Sequence, residues 1–228
     1  MENLFRHTTD FDDILKRNIV SLRSSEDLFD DLNDGDEHAS QVGHALTHEV
    51  KKDIPSHFLD RGFHYTTAID YPFSTEPFLQ SRYGTGEFPV WYGSLTLETT
   101  LYETAFHMFR EENKIQHNEN VIYRERAVYD VDCKAILLDF RGKETQFPQL
   151  ISNDYGFTQP VGKRVYEEGH PGLLVPSART KGANSVIFNR KVLLNARIGC
   201  YLNYTLIRDD AKVIIERAPG EIIGEISV

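Results

Sequence analysis

Several things are scarce or missing in this chain, and each absence narrows the reading. Cysteine occurs only at Cys133 and Cys200, with no CxxC partner for either. Both flank strand-like runs, so two buried, reduced thiols are expected rather than a disulfide framework. No apolar run approaches the roughly 20 residues that a membrane helix needs. The opening MENLFRHTTDFDD lacks a basic n-region followed by an apolar stretch, which predicts a cytoplasmic protein. Positive charge is in deficit: 25 Lys and Arg face 35 Asp and Glu, a net of −10, which argues against direct nucleic-acid binding. The nine histidines show no HExxH or paired spacing, so no metal is expected. Gly84-x-Gly86 lacks the third glycine of a dinucleotide-binding fingerprint, so a dinucleotide would not bind in the Rossmann manner. G-x-S-x-G is also absent, which leaves a serine nucleophile unsupported.

What is present is enough for a real core. Apolar residues make up 40% of the 228, with 14 Phe and 11 Tyr. The acidity is uneven. Residues 1–54 carry 13 Asp/Glu against 6 Lys/Arg, and the remaining 174 carry 22 against 19. The larger part is near enough to neutral to accept an anionic dinucleotide without long-range repulsion.

Residues 10–23, DFDDILKRNIVSLR, place Phe11, Ile14, Leu15, Ile19 and Leu22 at helical spacing. A capping box at Ser24–Asp27 and a second helical pattern over 37–52 follow, joined by the turn-like LNDGDE. Residues 1–55 therefore read as a small helical segment, packed on the core or free for a partner, that supplies no catalytic group. From 56 to 228 the pattern mixes helices and strands. FPVWYGSL is a strand, and Thr96 caps a helix starting at Leu97. NVIYRERAVYDVD and AILLDF are two strands, and 158–168 is a helix. GLLVPS, NSVIFN, GCYLNYTLI and a final KVIIER are strands. Without regular βαβ alternation the class is α+β.

Four polar side chains stand out: Arg82, Tyr92, Glu103 and Ser177. On the helix from Leu97, a core stripe runs through Leu97, Leu101, Thr104, Ala105 and Met108, and Glu103 points about 150° away from it. Thr99, Glu103 and His107 share that polar stripe, the ordinary solvated face of a helix unless a ligand meets it. Arg82 either pairs with Glu87 or offers its planar fork to phosphate oxygens. Tyr92 walls a pocket, stacks on a ring, or packs in the core; alternation sends Trp91 to the opposite face.

Read together, SRYGTGEFPVWYGSLTLETTLYETAFH (81–107) and HPGLLVPSARTKGANSVIFNRKVL resemble the RES domain, a bacterial toxin family named for its Arg, Glu and Ser. The likeness runs over roughly residues 56–216, with Ser81-Arg82-Tyr83 where many members carry Gly-Arg-Trp or Gly-Arg-Phe. It implies an ADP-ribosyltransferase-like mixed sheet with surrounding helices. It also implies cleavage of the nicotinamide–ribose bond of NAD by water or inorganic phosphate, with NAD as substrate and no cofactor. Protein ADP-ribosylation and a non-catalytic nucleotide-binding module are the alternatives. The implied catalytic set is Glu103, Arg82, Tyr92 and Ser177. Arg82, Tyr83, Tyr92, Ser177 and Arg179 are implied to contact the dinucleotide. The implied partner is an Xre-like antitoxin that blocks the pocket.

Overall fold

The computed structural model describes residues 2–21, 66–74, 77–115 and 119–228. Among them, eight strands form one mixed sheet: β1 (Thr8–Val20), β2 (Trp91–Ser94), β3 (Val121–Asp139), β4 (Gly172–Pro176), β5 (Ala183–Ile187), β6 (Leu193–Ile207), β7 (Lys212–Glu216) and β8 (Ile222–Ser227). The order is β1-β2-β5-β4-β3-β6-β7-β8, and β1 also pairs with β3. Strands β1, β2, β5, β4 and β3 thus close on themselves, while β6, β7 and β8 continue from β3. Two helices matter for function: α1 (Leu97–Glu112) and α2 (Thr158–Glu167). The mixture of a large sheet with few helices is the α+β class read from the sequence.

Burial explains why β4 is apolar throughout. Leu174 packs in one core with Leu15, Trp91, Val131 and Leu137. Its neighbour Leu173 packs in another with Tyr83, Phe140, Val161, Val165 and Val186. Successive strand residues point to opposite faces, so a strand covered on both sides must be continuously hydrophobic. Helix α1 buries Leu101, Ala105 and Met108 against Leu202, Tyr204, Val213 and Ile215 of β6 and β7. Thr96 caps it, its side chain accepting from Thr99 N at 3.1 Å.

Three sequence expectations are corrected. Residues 10–20 are strand, not helix. All thirteen residues of β1 pair antiparallel with β3, from Thr8 opposite Leu138 to Val20 opposite Arg126. The β-branched Thr8, Thr9, Ile14, Ile19 and Val20 suit that ladder, and long-range pairing overrides the helical spacing of the apolar residues. NVIYRERAVYDVD and AILLDF are one strand, β3, whose register with β6 shifts between Asp130 and Asp132. KVIIER is not the last strand, because β8 follows and pairs with it. The capping box at Ser24–Asp27, the linker LNDGDE and the helix expected over 37–52 lie outside the described residues. Both cysteines are free thiols; Cys133 is buried and Cys200 half-buried. Among the described residues no helix is long and apolar enough to cross a membrane.

Candidate active site

The sheet and α1 bring Glu103 to a cavity of about 350 Å³. Its walls come from β1 (Lys16, Arg17, Asn18), from the 80–83 segment and β2 (Arg82, Tyr92, Ser94), from α1 (Glu103, His107, Arg110), from Arg126 of β3, and from Tyr155 and Asn184. Five of these are Lys or Arg and one is a carboxylate. A chain with a net charge of −10 has therefore gathered cations at this one place. Such a concave site with converging polar groups suits a small anionic ligand.

The carboxylate of Glu103 is fixed by two donors on one oxygen. Ser177 Oγ donates to Oε1 at 2.6 Å and Asn184 Nδ2 donates to the same atom at 2.8 Å. Neither bond uses Oε2, which stays available to a ligand. Asn184 is itself oriented, because Ser94 Oγ donates to its Oδ1 at 2.7 Å. Ser94 and Asn184 are directly opposite in the β2–β5 ladder, so the sheet register sets this relay. Ser177 is buried, and its hydroxyl accepts from the backbone of Arg179 at 3.1 Å and of Thr180 at 3.3 Å. With two acceptor positions filled, its proton is directed at Glu103. Pro176 and Ala178 line the cavity on either side of it. Ser177 thus stands behind the carboxylate as a positioning residue.

Arg82 lines the cavity with its guanidinium over the Tyr155 ring, 5.0 Å from the centroid. Its Nη1 donates to the carbonyls of Leu150 (3.3 Å) and Ser152. Glu87, the ion-pair candidate from the sequence, pairs with Lys163 at 2.7 Å instead. Tyr92 packs against the core on the face opposite Trp91, as alternation requires. Its hydroxyl shares a bond with Ser81 Oγ (2.8 Å) and accepts from the Tyr83 backbone at 3.0 Å. Burial pushes the Tyr92 phenol up to about 12 against the pull of those bonds, so it stays neutral. Tyr83 is fully buried in the same core. Arg179 stacks over Phe106, with its carbon 3.3 Å from the ring centroid, and donates to Asn153 Oδ1. His107 presents much of its surface to solvent, yet the protein packed around its ring, then Arg110, lower its pKa below the ordinary value.

The backbone carrying Arg82 is held by close packing at Gly162 of α2. A Cβ there would lie 1.9 Å from the Tyr83 carbonyl oxygen. Gly162→Ala is therefore expected to lower unfolding free energy by about 1–3 kcal/mol and to displace the Arg82–Tyr83 segment. Denaturant midpoint measurements check this; a midpoint equal to wild type would show that the helix slides aside freely.

Sequence reasoning missed Arg17, Asn18, Ser94, Arg126 and Asn184. The first 55 residues, expected to supply no catalytic group, place Lys16, Arg17 and Asn18 on the cavity wall. Only the pairing of β1 with β3 and β2 brings them there.

The chain matches no curated protein. Among solved structures it is similar to the M. tuberculosis MbcT–MbcA toxin–antitoxin complex, at 12% identity, over 86% of each chain, with a TM-score of 0.45. A family model described as RES domain matches residues 55–207, which include Arg82, Tyr92, Glu103, Ser177 and Asn184. With two thirds of its length matched by that model, the chain belongs to the RES-domain family.

Proposed function

We propose that this protein is a RES-type toxin that breaks the nicotinamide–ribose bond of NAD. The observation that carries the reading is the single carboxylate, aimed by Ser177 and Asn184, in a cavity whose other charged lining residues are Lys16, Arg17, Arg82, Arg110 and Arg126. A pair of carboxylates is usual in glycoside hydrolysis because the leaving group needs a proton. The nicotinamide of NAD is already a cationic pyridinium. It leaves as a neutral amine with the electrons of the broken C–N bond, and no acid is required. The ribose carbon becomes oxocarbenium-like, and a fixed carboxylate nearby lowers that barrier electrostatically. Glu103 is that group. The Arg82 guanidinium is the candidate for the pyrophosphate, with Arg179 bracing the same side, and the neutral Tyr92 ring walls the nicotinamide end.

Water adding to the ribose carbon and losing a proton gives ADP-ribose. Inorganic phosphate adding there gives ADP-ribose 1″-phosphate. NAD is the substrate, and no cofactor takes part. An activity of this kind in the cytoplasm requires restraint. RES-family membership carries the expectation of an Xre-like antitoxin that covers the cavity, with a polar or acidic group facing Arg82. The test is incubation of the purified full chain with NAD, with and without phosphate, and identification of the products. Free nicotinamide with either ribosyl product is expected. NAD left intact under both conditions would refute the reading.

A further inference from the structure

The cations of the cavity fall into two groups. Arg82 and Arg110 gather around Tyr155: Arg82 stacks on its ring, and Arg110 Nη1 donates to its hydroxyl at 3.2 Å. Arg17 and Arg126 stand on the β1–β3 wall instead. Both reach the cavity, and neither forms an ion pair with a carboxylate among the described residues. Their neighbour Lys16 is neutralised by Asp130 at 2.6 Å.

Arg17 is held in place without its charge being answered. Nη1 donates to the Tyr92 carbonyl at 2.7 Å, and the guanidinium lies 5.4 Å from the Trp91 ring centroid. Nε is buried and has no hydrogen-bond partner. With Nη1 engaged and Nε enclosed by protein, Nη2 is the donor left for an anion in the cavity that Arg17 lines. Arg126 is fixed in turn by Asn18, donating from Nε to Oδ1 at 2.7 Å and from Nη2 to the carbonyl at 3.1 Å. It lies 5.4 Å from the Tyr204 ring centroid. Burial first, then the charge of Arg126, depress the Arg17 pKa to about 10, with Tyr92 opposing. Burial lowers that of Arg126 as well. Two partly buried guanidinium groups that repel one another without a carboxylate partner are costly by themselves, and an anion between them lowers that cost.

We propose that Arg17 and Arg126 form a second anion subsite, which takes a phosphate group and is separate from the Arg82–Arg110 group around Tyr155. The proposal rests on the reading of the cavity as the site of a phosphate-bearing substrate and names its second anionic contact. The phosphate is either free inorganic phosphate or a phosphate of the dinucleotide itself. In both cases the recognising chemistry is the paired positive charge of Arg17 and Arg126, with Arg17 Nη2 as donor.

The test uses the full chain in calorimetry and thermal unfolding at constant ionic strength. The titrants are inorganic phosphate alone, ADP-ribose alone, and phosphate after ADP-ribose. Wild type is expected to gain thermal stability with at least one of the two. Arg17→Gln is expected to weaken that ligand by about tenfold or more, the value of a lost charge-assisted hydrogen bond. Loss confined to inorganic phosphate, with both ligands bound together in wild type, places a free phosphate there. Loss of ADP-ribose, with the two ligands mutually exclusive, places the substrate's own phosphate there. Arg126→Gln serves as the second variant if Arg17→Gln does not fold. Unchanged affinity for both ligands in a folded variant overturns the subsite, and so does a wild-type chain stabilised by neither. ADP-ribose or phosphate bound through Arg17 while NAD survives intact would sink the NAD-cleavage reading alone.

Discussion

Glu103→Gln is expected to slow NAD consumption by about 10²–10³ while leaving the fold intact, the usual cost of removing one electrostatic stabiliser from a reacting centre. The structure says why this exchange is clean. Both hydrogen bonds to Glu103 converge on Oε1, from Ser177 at 2.6 Å and Asn184 at 2.8 Å. A glutamine carbonyl accepts the same two donors, so the side chain keeps its place. Its amide nitrogen then occupies the position of Oε2, and a neutral donor faces the ribose where a negative charge stood. The substrate still meets the same arginines, so affinity is expected to hold while turnover falls. Single-turnover rates beside calorimetric binding separate the two, and the denaturant midpoint confirms that the variant is folded. An unchanged rate in that folded variant removes Glu103 from the chemistry. The same substitution in cells that express the chain is expected to relieve NAD depletion and growth arrest together.

The parts of this site that were legible in the sequence lie close together in it. Arg82, Tyr92 and Glu103 sit within one block, where strand β2 and helix α1 follow each other without interruption. The apolar stripe of α1 fixes its buried face, and Glu103 is left on another. Ser177 directly follows a separate strand, β4, and only the family pattern marked it. Asn184 was not marked at all. Its role depends on lying opposite Ser94 across the β2–β5 ladder, and cross-strand register leaves little trace in either strand alone. The same reason hid Arg17 and Arg126. Phe11, Ile14, Leu15 and Ile19 have helical spacing, yet the segment pays its backbone hydrogen bonds to β3, more than a hundred residues away. Local periodicity reports which residues want burial and says nothing of the partner that buries them. Strand β8 was overlooked because Gly224 and Glu225 interrupt the apolar residues of IIGEIS. The apparent break in β3 falls near Asp130 and Asp132, whose carboxylates reach out to Lys16 and Arg197 rather than ending the strand.

Asn184→Asp is expected to disable the enzyme at neutral pH and to restore part of its rate as pH rises. The substitution is nearly isosteric, but it changes the meaning of the contact with Glu103. Where Asn184 donates to Oε1 at 2.8 Å, the variant offers a second carboxylate to the first. Two carboxylates that close do not both ionise readily; they hold a proton between them, and one apparent pKa of the pair rises. Ser94 still donates to the side chain at position 184, so the new carboxylate is kept facing Glu103. The shared proton then cancels part of the charge that the developing oxocarbenium needs. The sign of the pH effect follows. Below the raised pKa the pair carries one negative charge, spread over two groups and pulled away from Oε2. Above it Glu103 regains its full charge, and stabilisation of the transition state returns. The measurement is the rate of NAD cleavage from pH 5 to 9, in the variant and in wild type, with folding checked at each end. A large loss at neutral pH with an upward slope toward alkaline pH supports the relay from Ser94 through Asn184 to Glu103. A variant with wild-type rates and a wild-type profile would show that Asn184 does not touch the reacting carboxylate.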